Sequence, residues 1–299
     1  MRPYGKGVDP TELAIGLVLG GGHLWALAGS RGRLLEAFGA DPAGAFSPDW
    51  RVPAFFSAAY LLVVLGRLWA RGSGNRSGSG GGGGGGGGRA GAARSYHTAM
   101  IAYNMYQVVL NVWVVFGIAR ELAGHGLKRS RRVWGNAHTA SADAFNLAFF
   151  VWVHSIHKYS ELADTMFMLA REKWEQVSFL HVYHHVLLLW CWAAVCELGP
   201  FGDSFFGALC NSAIHVLMYS YYLLAALKVP CPWKRYLTQA QMLQFCVCAG
   251  HALYVLLWEG NAPAALPALQ LFVMTNMLLL FGRFYAQKYQ QAEGGKKAA

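Results

Sequence analysis

The chain has 299 residues, of which 55% are hydrophobic and 13% are charged, with a formal net charge of +10 and a mean hydropathy of +0.29. A soluble domain carries about 25% charged residues, so this composition excludes an ordinary soluble protein and indicates one with several membrane-spanning helices. The basic residues lie between hydrophobic segments rather than on one soluble face, which excludes a nucleic-acid-binding protein.

Seven apolar segments are long enough to cross a bilayer as helices, which requires about 20 residues each. They are predicted near 52–70, 98–119, 142–160, 177–197, 204–226, 237–258 and 264–286. We therefore predict an all-α membrane protein with about seven transmembrane helices.

Three other segments complete the predicted organisation. Residues 1–50 form an N-terminal extension, in which the apolar stretch from Leu13 to Ala28 fits an interfacial helix or a weak additional span. Residues 51–290 form the transmembrane domain, which a glycine-rich flexible insert interrupts at 72–93. Residues 291–299 form a polar tail.

The distribution of basic residues predicts the orientation in the membrane. Alternate connections are rich in Lys and Arg, whereas those near 197–203 and 259–263 contain neither, so the C-terminus is predicted to be cytosolic. One segment, with Lys128, Arg129, Arg131 and Arg132, disagrees with this alternation. Lys296 and Lys297 resemble a di-lysine signal for retrieval to the endoplasmic reticulum.

A histidine box, His181 to His185, is the most informative motif. His181, His184 and His185 stand at i, i+3 and i+4 and therefore share one face of a helix. The residues that follow are apolar enough to enter a bilayer, where ionisable groups are costly and indicate a functional site. Three imidazoles in this place could bind a metal, move protons or act as a nucleophile.

Three further polar groups interrupt the apolar segments. Because polar stripes in lipid must face a bundle interior, we expect them to line one polar chamber together with the histidine box. Single histidines in apolar segments, namely His154, His157 and His251, are interpreted as core residues. The three groups are Lys158, Glu161, Asp164 and Thr165; Asn211, His215, Tyr219 and Tyr222; and Thr238, Gln241 and Gln244.

These motifs, in this order and spacing, resemble those of one known family. The sequences K-x-x-E-x-x-D-T, F-L-H-V-Y-H-H, N-S-x-x-H-V-x-M-Y-S-Y-Y and Y-L-T-x-x-Q-x-x-Q-F are similar to the signature of the ELO family, the very-long-chain fatty acid elongases of the endoplasmic reticulum. The resemblance covers roughly 50–290. The glycine-rich insert and the N-terminal extension depart from the family pattern without touching a motif.

The resemblance implies an enzyme that condenses acyl-CoA with malonyl-CoA to give 3-oxoacyl-CoA, carbon dioxide and CoA. It implies no bound cofactor and no metal, because NADPH belongs to separate reductases. The implied partners are membrane lipids, the two CoA esters, the reductases and dehydratase of the elongation cycle, and a second copy of the chain. Val182-Tyr183 resembles the branch that uses polyunsaturated chains.

The residues themselves suggest roles in such a reaction. No cysteine lies beside the histidine box, so an imidazole is the candidate nucleophile, and the resemblance also favours His184. His181 and His185 are predicted to orient His184, tune its pKa or move protons. The predicted supporting residues, which donate to an oxyanion, hold the malonyl carboxylate or fix a histidine tautomer, are His215, Asn211, Tyr219, Asp164 and Glu161.

CoA is a large polyanion, so its site is predicted at basic span ends on the cytosolic side. Most of the candidates stand at positions that match the family's CoA contacts. They are Lys158, Arg171, Lys173, Gln176, His181, Lys234, Thr238, Gln241, Gln244 and Lys288.

Two other function classes stay open at this point. The HxxHH spacing also occurs in membrane di-iron desaturases and hydroxylases, but these need several more histidines, and only His154 and His157 offer a second group. A non-enzymatic lipid transporter would use the polar chamber as a path for its substrate.

Overall fold

The computed structural model describes residues 10–42, 44–74, 86–126 and 134–297, and all regular secondary structure in them is helical. No β-strand occurs in these ranges, which confirms the predicted all-α class. Their α-helices are α1 (Pro10–Ala40), α2 (Arg51–Gly74), α3 (Gly86–Gly126), α4 (Phe145–Glu161), α5 (Ala163–Ala170), α6 (Phe179–Glu197), α7 (Phe205–Ala226), α8 (Leu237–Tyr254) and α9 (Ala265–Lys297). A π-helical turn, Val255–Glu259, extends α8.

Each of the seven predicted apolar segments falls largely on one helix, namely α2, α3, α4, α6, α7, α8 or α9. By length and composition, five of the helices in the described residues could cross a membrane, and these are α2, α3, α6, α8 with its π turn, and α9. The remaining two, α4 and α7, are shorter or more polar because they carry the interior motifs. Most side chains of α4 are buried by other helices, whereas α7 keeps some exposed apolar side chains such as Leu217.

Packing confirms that α4 is central. It contacts α3, α6 and α7, and most of its side chains are buried. The largest buried apolar cluster includes Phe145 and Phe149 of α4 together with residues of α1, α3 and α7. The helix therefore presents its polar residues to neighbouring helices rather than to lipid or water.

The connections between helices gather at two ends of the bundle. At one end, the Asp203 carboxylate accepts hydrogen bonds from the backbone N–H of Gly135 at 2.7 Å and of Asn136 at 3.0 Å. The His138 N–H donates to the Asn261 carbonyl at 3.2 Å. The α3–α4, α6–α7 and α8–α9 connections thus meet at what we call the Asp203 end.

The opposite end is rich in cations, and we call it the basic end. Arg67 donates to the Leu169 carbonyl at 3.4 Å, and the Arg71 guanidinium lies 5.0 Å from the centre of the Trp174 ring. These contacts join the end of α2 to the segment between α4 and α6. The cations of the basic end are Arg67, Arg71, Arg171, Lys173, Lys228, Lys234 and Arg235.

Ser178 fixes where the histidine box begins. Its hydroxyl accepts a hydrogen bond from the His181 backbone N–H at 3.2 Å and caps α6, so the box occupies the first turns of this helix, near the basic end. At the other end of α6, Gly199 and Gly202 adopt positive φ angles of 94° and 58°, which glycine accommodates without strain. They make the tight turn into α7.

The N-terminal extension is more integrated than the sequence suggested. One helix, α1, covers Pro10–Ala40, and Leu27 and Phe38 are buried in the main apolar cluster together with Phe46. Within the predicted glycine-rich insert 72–93, α2 continues to Gly74 and α3 begins at Gly86. Its central part and the Lys128–Arg132 segment lie outside the described residues.

Candidate active site

A buried ion pair on α4 lies at the centre of the candidate site. Lys158 Nζ donates to Glu161 Oε1 at 2.7 Å and to Asn211 Oδ1 on α7 at 2.8 Å. The His215 Nδ1 atom, also on α7, lies 3.0 Å from the same Glu161 oxygen. Lys158 is only 2% exposed and Glu161 only 1%. Since a buried charge is costly unless it is paired, this mutual contact keeps both charges inside the bundle. We call these four residues the charged cluster.

Lys158 fixes the orientation of the Asn211 amide. An ammonium group can only donate, so the amide oxygen must face Lys158 and the amide nitrogen must face elsewhere. Asn211 also lines the large cavity described below. Its N–H groups are therefore left to donate to a molecule in that cavity.

Polar side chains of α3 and α4 form a second layer of contacts next to the charged cluster. His157 Nε2 contacts Gln107 Oε1, and His157 Nδ1 lies 3.6 Å from Glu161 Oε1. Gln107 Nε2 donates to Ser160 Oγ at 3.3 Å, which agrees with its oxygen facing His157. The sequence interpretation of His157 as a packing residue was incomplete, because its ring also reaches the charged cluster. The sequence indicates this only through the position of His157, which directly precedes Lys158.

The histidine box divides into two parts with different surroundings. His181 Nε2 pairs with Thr165 Oγ1 at 2.8 Å, and the Thr165 hydroxyl pairs with Tyr60 OH on α2, also at 2.8 Å. The His185 ring packs against His181 with centroids 4.4 Å apart. Hydrogen bonds and ring packing thus hold this part of the box. The role of Tyr60 was missed, because nothing in the sequence links it to Thr165.

His184 faces the other way, toward α9. Its Nδ1 atom lies 3.0 Å from Met277 Sδ, and its ring contacts Phe281 with centroids 6.4 Å apart. A thioether sulfur is a weak acceptor, so Nδ1–H donation to Met277 leaves the lone pair on Nε2. Of the three box histidines, His184 alone lines the large cavity among the described residues.

The cavity lies between α6, α7, α8 and α9. His184 and Gln244, in the first turns of α6 and α8, line it toward the basic end, and Asp203 and His251 line it at the Asp203 end. Asn211, in the second turn of α7, also lines it. The wall is otherwise mostly apolar, with Leu188, Trp192, Phe245, Leu269 and Val273 among its residues. A mostly apolar cavity that contains a histidine and an amide donor suits an acyl chain.

Tyr219 and Asp164 form a neighbouring pair. Tyr219 OH donates to Asp164 Oδ2 at 2.7 Å, and the Tyr103 ring packs edge-on against Tyr219 with centroids 6.1 Å apart. We predicted that Asp164 fixes a histidine tautomer, but its hydrogen bond comes from the Tyr219 phenol instead. Glu161 is the carboxylate that meets histidines.

The predicted CoA-binding residues do not lie together. Arg171, Lys173, Gln176 and Lys234 are exposed at the basic end, with Lys234 Nζ 5.4 Å from the centre of the Tyr221 ring. Lys158 is instead buried in the charged cluster, and Gln244 is buried within α8, where it donates to Cys248 Sγ at 3.4 Å. Helix packing covers both side chains, so neither lies on the surface where the CoA site was predicted.

The remaining predicted positions lie between these extremes. Thr238 and Gln241 are half-buried on the first turns of α8. The side chain of Lys288 lies outside the described residues. Two arginines that sequence reasoning did not select, Arg67 and Arg71, lie at the same end as Arg171.

The described residues contain no group of three or more His, Cys, Asp or Glu side chains arranged to hold a metal ion. His154, one of the extra histidines that a di-iron site would need, pairs through Nδ1 with Ser212 Oγ at 2.9 Å. Its ring packs on Trp192 with centroids 4.5 Å apart. His154 thus makes the contacts of a core residue.

At the far end of the cavity, Asp203 is held by donors. Burial tends to raise the pKa of Asp203, but His251 nearby and the N–H donors of Asn136 and Gly135 outweigh that effect and hold the pKa below its usual value. Asn136 Nδ2 adds a further hydrogen bond of 2.6 Å to this carboxylate. Asp203 is therefore a charged structural anchor.

Comparison with known proteins places the chain in a family. Residues 45–297 match the GNS1/SUR4 family. The chain is similar to fatty acid elongase 5 of Leishmania major, with 36% identity over 187 residues that cover 62% of this chain and 71% of the relative. It is 33% identical over 198 residues to fatty acid elongase 4 of Trypanosoma brucei brucei, covering 66% of this chain and 75% of the relative.

A vertebrate relative gives the same picture. The chain is 34% identical over 197 residues to very long chain fatty acid elongase 2 of Rattus norvegicus, covering 65% of this chain and 66% of the relative. The helices long enough to span a membrane agree with a multi-pass membrane protein. The chain therefore belongs to the GNS1/SUR4, or ELO, family of fatty acid elongases and is a condensing enzyme of fatty acid elongation.

Proposed function

We propose that the enzyme joins an acyl group from acyl-CoA to a two-carbon unit from malonyl-CoA, with His184 as the nucleophile. The observation that carries this proposal is the mostly apolar cavity that both His184 and Asn211 line, with Asn211 bound to Lys158 of the charged cluster. An acyl chain in the cavity would bring its thioester to these two residues. Contacts between the acyl chain and the apolar cavity walls would contribute binding energy, and the wall residues would take no part in the chemistry.

In the first half-reaction, His184 Nε2 attacks the carbonyl carbon of the acyl thioester. The new C–N bond gives an acyl-imidazolium that keeps its Nδ1 proton, the C–S bond breaks, and CoA leaves as a thiolate that takes up a proton from solvent. Met277, which accepts from Nδ1–H, keeps the lone pair on Nε2 at the start. The amide N–H groups of Asn211 donate to the oxyanion that forms on the carbonyl oxygen.

In the second half-reaction, malonyl-CoA loses carbon dioxide. The electron pair of the broken C–C bond forms an enolate, whose carbon attacks the acyl carbonyl while the C–N bond to His184 breaks. His215, placed against Glu161, and Lys158 lie where positive charge would favour an enolate or a malonyl carboxylate. The product is 3-oxoacyl-CoA, which reductases and a dehydratase would process.

The CoA moieties belong at the basic end. The exposed cations there surround the start of α6, which carries the histidine box, so phosphates could bind while the thioester reaches His184. Loops rich in Lys and Arg face the cytosol, which puts the basic end and the C-terminus of a seven-span bundle on that side. The two lysines near the C-terminus support a location in the endoplasmic reticulum.

The acyl substrate is proposed to be a long polyunsaturated chain. The support is the Val182-Tyr183 pair inside the histidine box, where Tyr183 OH donates to Asn276 Oδ1 on α9 at 3.3 Å. Purified enzyme supplied with matched saturated and polyunsaturated acyl-CoAs would rank the two classes by kcat/KM. Equal values for both classes would contradict this choice of substrate.

The proposed condensation is tested with purified protein, malonyl-CoA carrying a labelled free carboxylate, and a long-chain acyl-CoA. We expect labelled carbon dioxide and 3-oxoacyl-CoA in equal amounts, and an acyl adduct on His184 by mass spectrometry when malonyl-CoA is left out. Absence of both products with every acyl-CoA supplied would overturn the proposal and favour a lipid carrier. Product formation together with an adduct on another residue would overturn the assignment of His184 alone.

A further inference from the structure

The cavity ends in polar groups rather than in an apolar wall. At the Asp203 end it is lined by Asp203, Ser204, His251 and Gln270, whereas Leu188, Phe245 and Val273 line the middle. On α6 the lining runs from His184 to Val195, which is about 16 Å of helix at 1.5 Å per residue. A chain anchored at His184 would therefore direct its terminal carbon toward these polar side chains.

His251 has hydrogen-bonding capacity that the protein does not use. Its side chain is only 6% exposed, yet neither ring nitrogen has a hydrogen-bond partner among the described residues. Nε2 lies 3.6 Å from Asp203 Oδ2, which is too long for a hydrogen bond. Phe206 stacks on the ring with centroids 4.0 Å apart and planes tilted by 8°, so the ring is held in place.

Gln270 presents an acceptor to the same region. Its Nε2 donates to the Cys248 carbonyl at 3.0 Å, which leaves Oε1 available. Gly207 has no side chain, and a Cβ atom at this position would lie 3.5 Å from Gln270 Oε1. The glycine therefore leaves space beside this oxygen. A half-buried acceptor and a nearly buried imidazole thus line the same end of an otherwise apolar cavity.

Buried polar groups of this kind favour a ligand that can pair with them. The methyl end of an ordinary fatty acyl chain offers neither a donor nor an acceptor. A terminal hydroxyl offers both: it could accept from His251 and donate to Gln270 Oε1 or to Asp203.

We propose that this end of the cavity is a subsite for the ω-hydroxyl of an acyl chain, so that the enzyme elongates ω-hydroxyacyl-CoA in preference to the methyl-ended chain of equal length. The proposal rests on the function proposed above. It concerns only the far end of the substrate and leaves the condensing chemistry unchanged.

The test uses a series of saturated acyl-CoAs of increasing length, each paired with its ω-hydroxy counterpart, and measures kcat/KM for condensation with malonyl-CoA. We expect no preference for short chains, which do not reach the subsite. From the chain length that first reaches the subsite, kcat/KM for the hydroxylated chain should exceed that for the methyl-ended chain by about tenfold, which is the scale of one additional hydrogen bond.

Three variants identify the groups responsible. His251→Leu and Gln270→Leu should each reduce the hydroxyl preference by about tenfold or abolish it. His251→Gln keeps a hydrogen-bonding group of similar size and should retain most of the preference. Leu266→Val alters an apolar lining residue at the same end, so it should change the length profile without changing the ratio between hydroxylated and methyl-ended chains.

The outcomes separate this inference from the proposed function. Equal kcat/KM for both members of every pair in the wild-type enzyme would overturn the subsite, as would an unchanged preference in folded His251→Leu and Gln270→Leu. If water alone fills the polar end, the first of these results is expected. Failure to condense any acyl-CoA would overturn the proposed function and the subsite together.

Discussion

The charged cluster and the histidine box lie side by side but are held in different ways. In the cluster, Lys158, Glu161 and Asn211 meet at 2.7–2.8 Å and leave little freedom to any member. In the box, the contacts of His184 within the described residues are with the Met277 sulfur and with the rings of Phe281 and His185. The more polar region is thus the rigid one, while the proposed nucleophile has no strong hydrogen bond among these contacts.

Physical reasons support this division of labour. A carboxylate and an ammonium buried together hold each other in one geometry, because separating them leaves an uncompensated charge. A nucleophile must instead change its bonding during the reaction, and strong hydrogen bonds to Nε2 would occupy the lone pair that it needs. Variants in the two regions should therefore separate stability from activity.

The largest effect is expected for His184→Ala. It removes the proposed nucleophile, so condensation should fall by at least about 10³-fold, the scale seen when a nucleophile is deleted. Thermal unfolding should change little, because His184 makes no strong hydrogen bond. Phe179→Ala, a truncation at an exposed position of the same helix, is the matched control and should stay active. Wild-type turnover in His184→Ala would remove the contrast between the two regions.

Glu161→Gln should affect stability and activity together. It leaves the Lys158 ammonium buried without its counterion, which costs about 3–5 kcal/mol. Chemical or thermal unfolding in detergent measures the first effect, and carbon dioxide release measures the second. The double variant Lys158→Met with Glu161→Leu removes both charges and should recover most of the stability but not the activity. Recovery of activity in the double variant would show that the cluster has only a structural role.

Thr165→Val tests the held part of the histidine box. The change removes the hydroxyl that joins His181 to Tyr60 and leaves both buried partners unpaired, at a cost of about 1–3 kcal/mol. We expect kcat to fall by about tenfold as His181 loses its position. Thr165→Ser restores the hydroxyl and should restore kcat. An unchanged kcat in a folded Thr165→Val enzyme would mean that His181 needs no support from Thr165.

The smallest effect is expected at the exposed rim. Lys234→Glu should raise KM for acyl-CoA several-fold while kcat stays within about twofold, since phosphate contacts act mainly in binding. The KM difference should shrink with added salt, because exposed charges are screened. Arg235→Glu makes the same charge change one residue along and should have a weaker effect. Equal KM values for wild type and Lys234→Glu would argue against CoA binding there.

Much of the architecture was predictable from the sequence. The apolar segments had the length that a bilayer requires, so α6 and α7 begin and end within about two residues of prediction. Spacing placed His181, His184 and His185 together in the first turns of α6, although His181 meets α5 and His184 meets α9. The motif around Lys158 indicated a polar interior because lipid tolerates no unpaired charge.

What escaped prediction depends on contacts between distant helices. Spacing places Lys158 on a face of α4 but does not reveal that α7 brings Asn211 to its ammonium group. The link from Tyr60 through Thr165 to His181 joins three segments that only the packed bundle brings together. Spacing likewise does not reveal that the His181 ring meets α5 while the His184 ring meets α9.

The hydrogen bonds to Asp203 imply that the described connections at this end of the bundle open rarely. Gly135 and Asn136 belong to an irregular segment, yet their amides donate to a buried carboxylate. We expect those amide protons to exchange with deuterium slowly, because their hydrogen bonds break only when this end of the bundle opens. Substrate and product would then both pass the basic end.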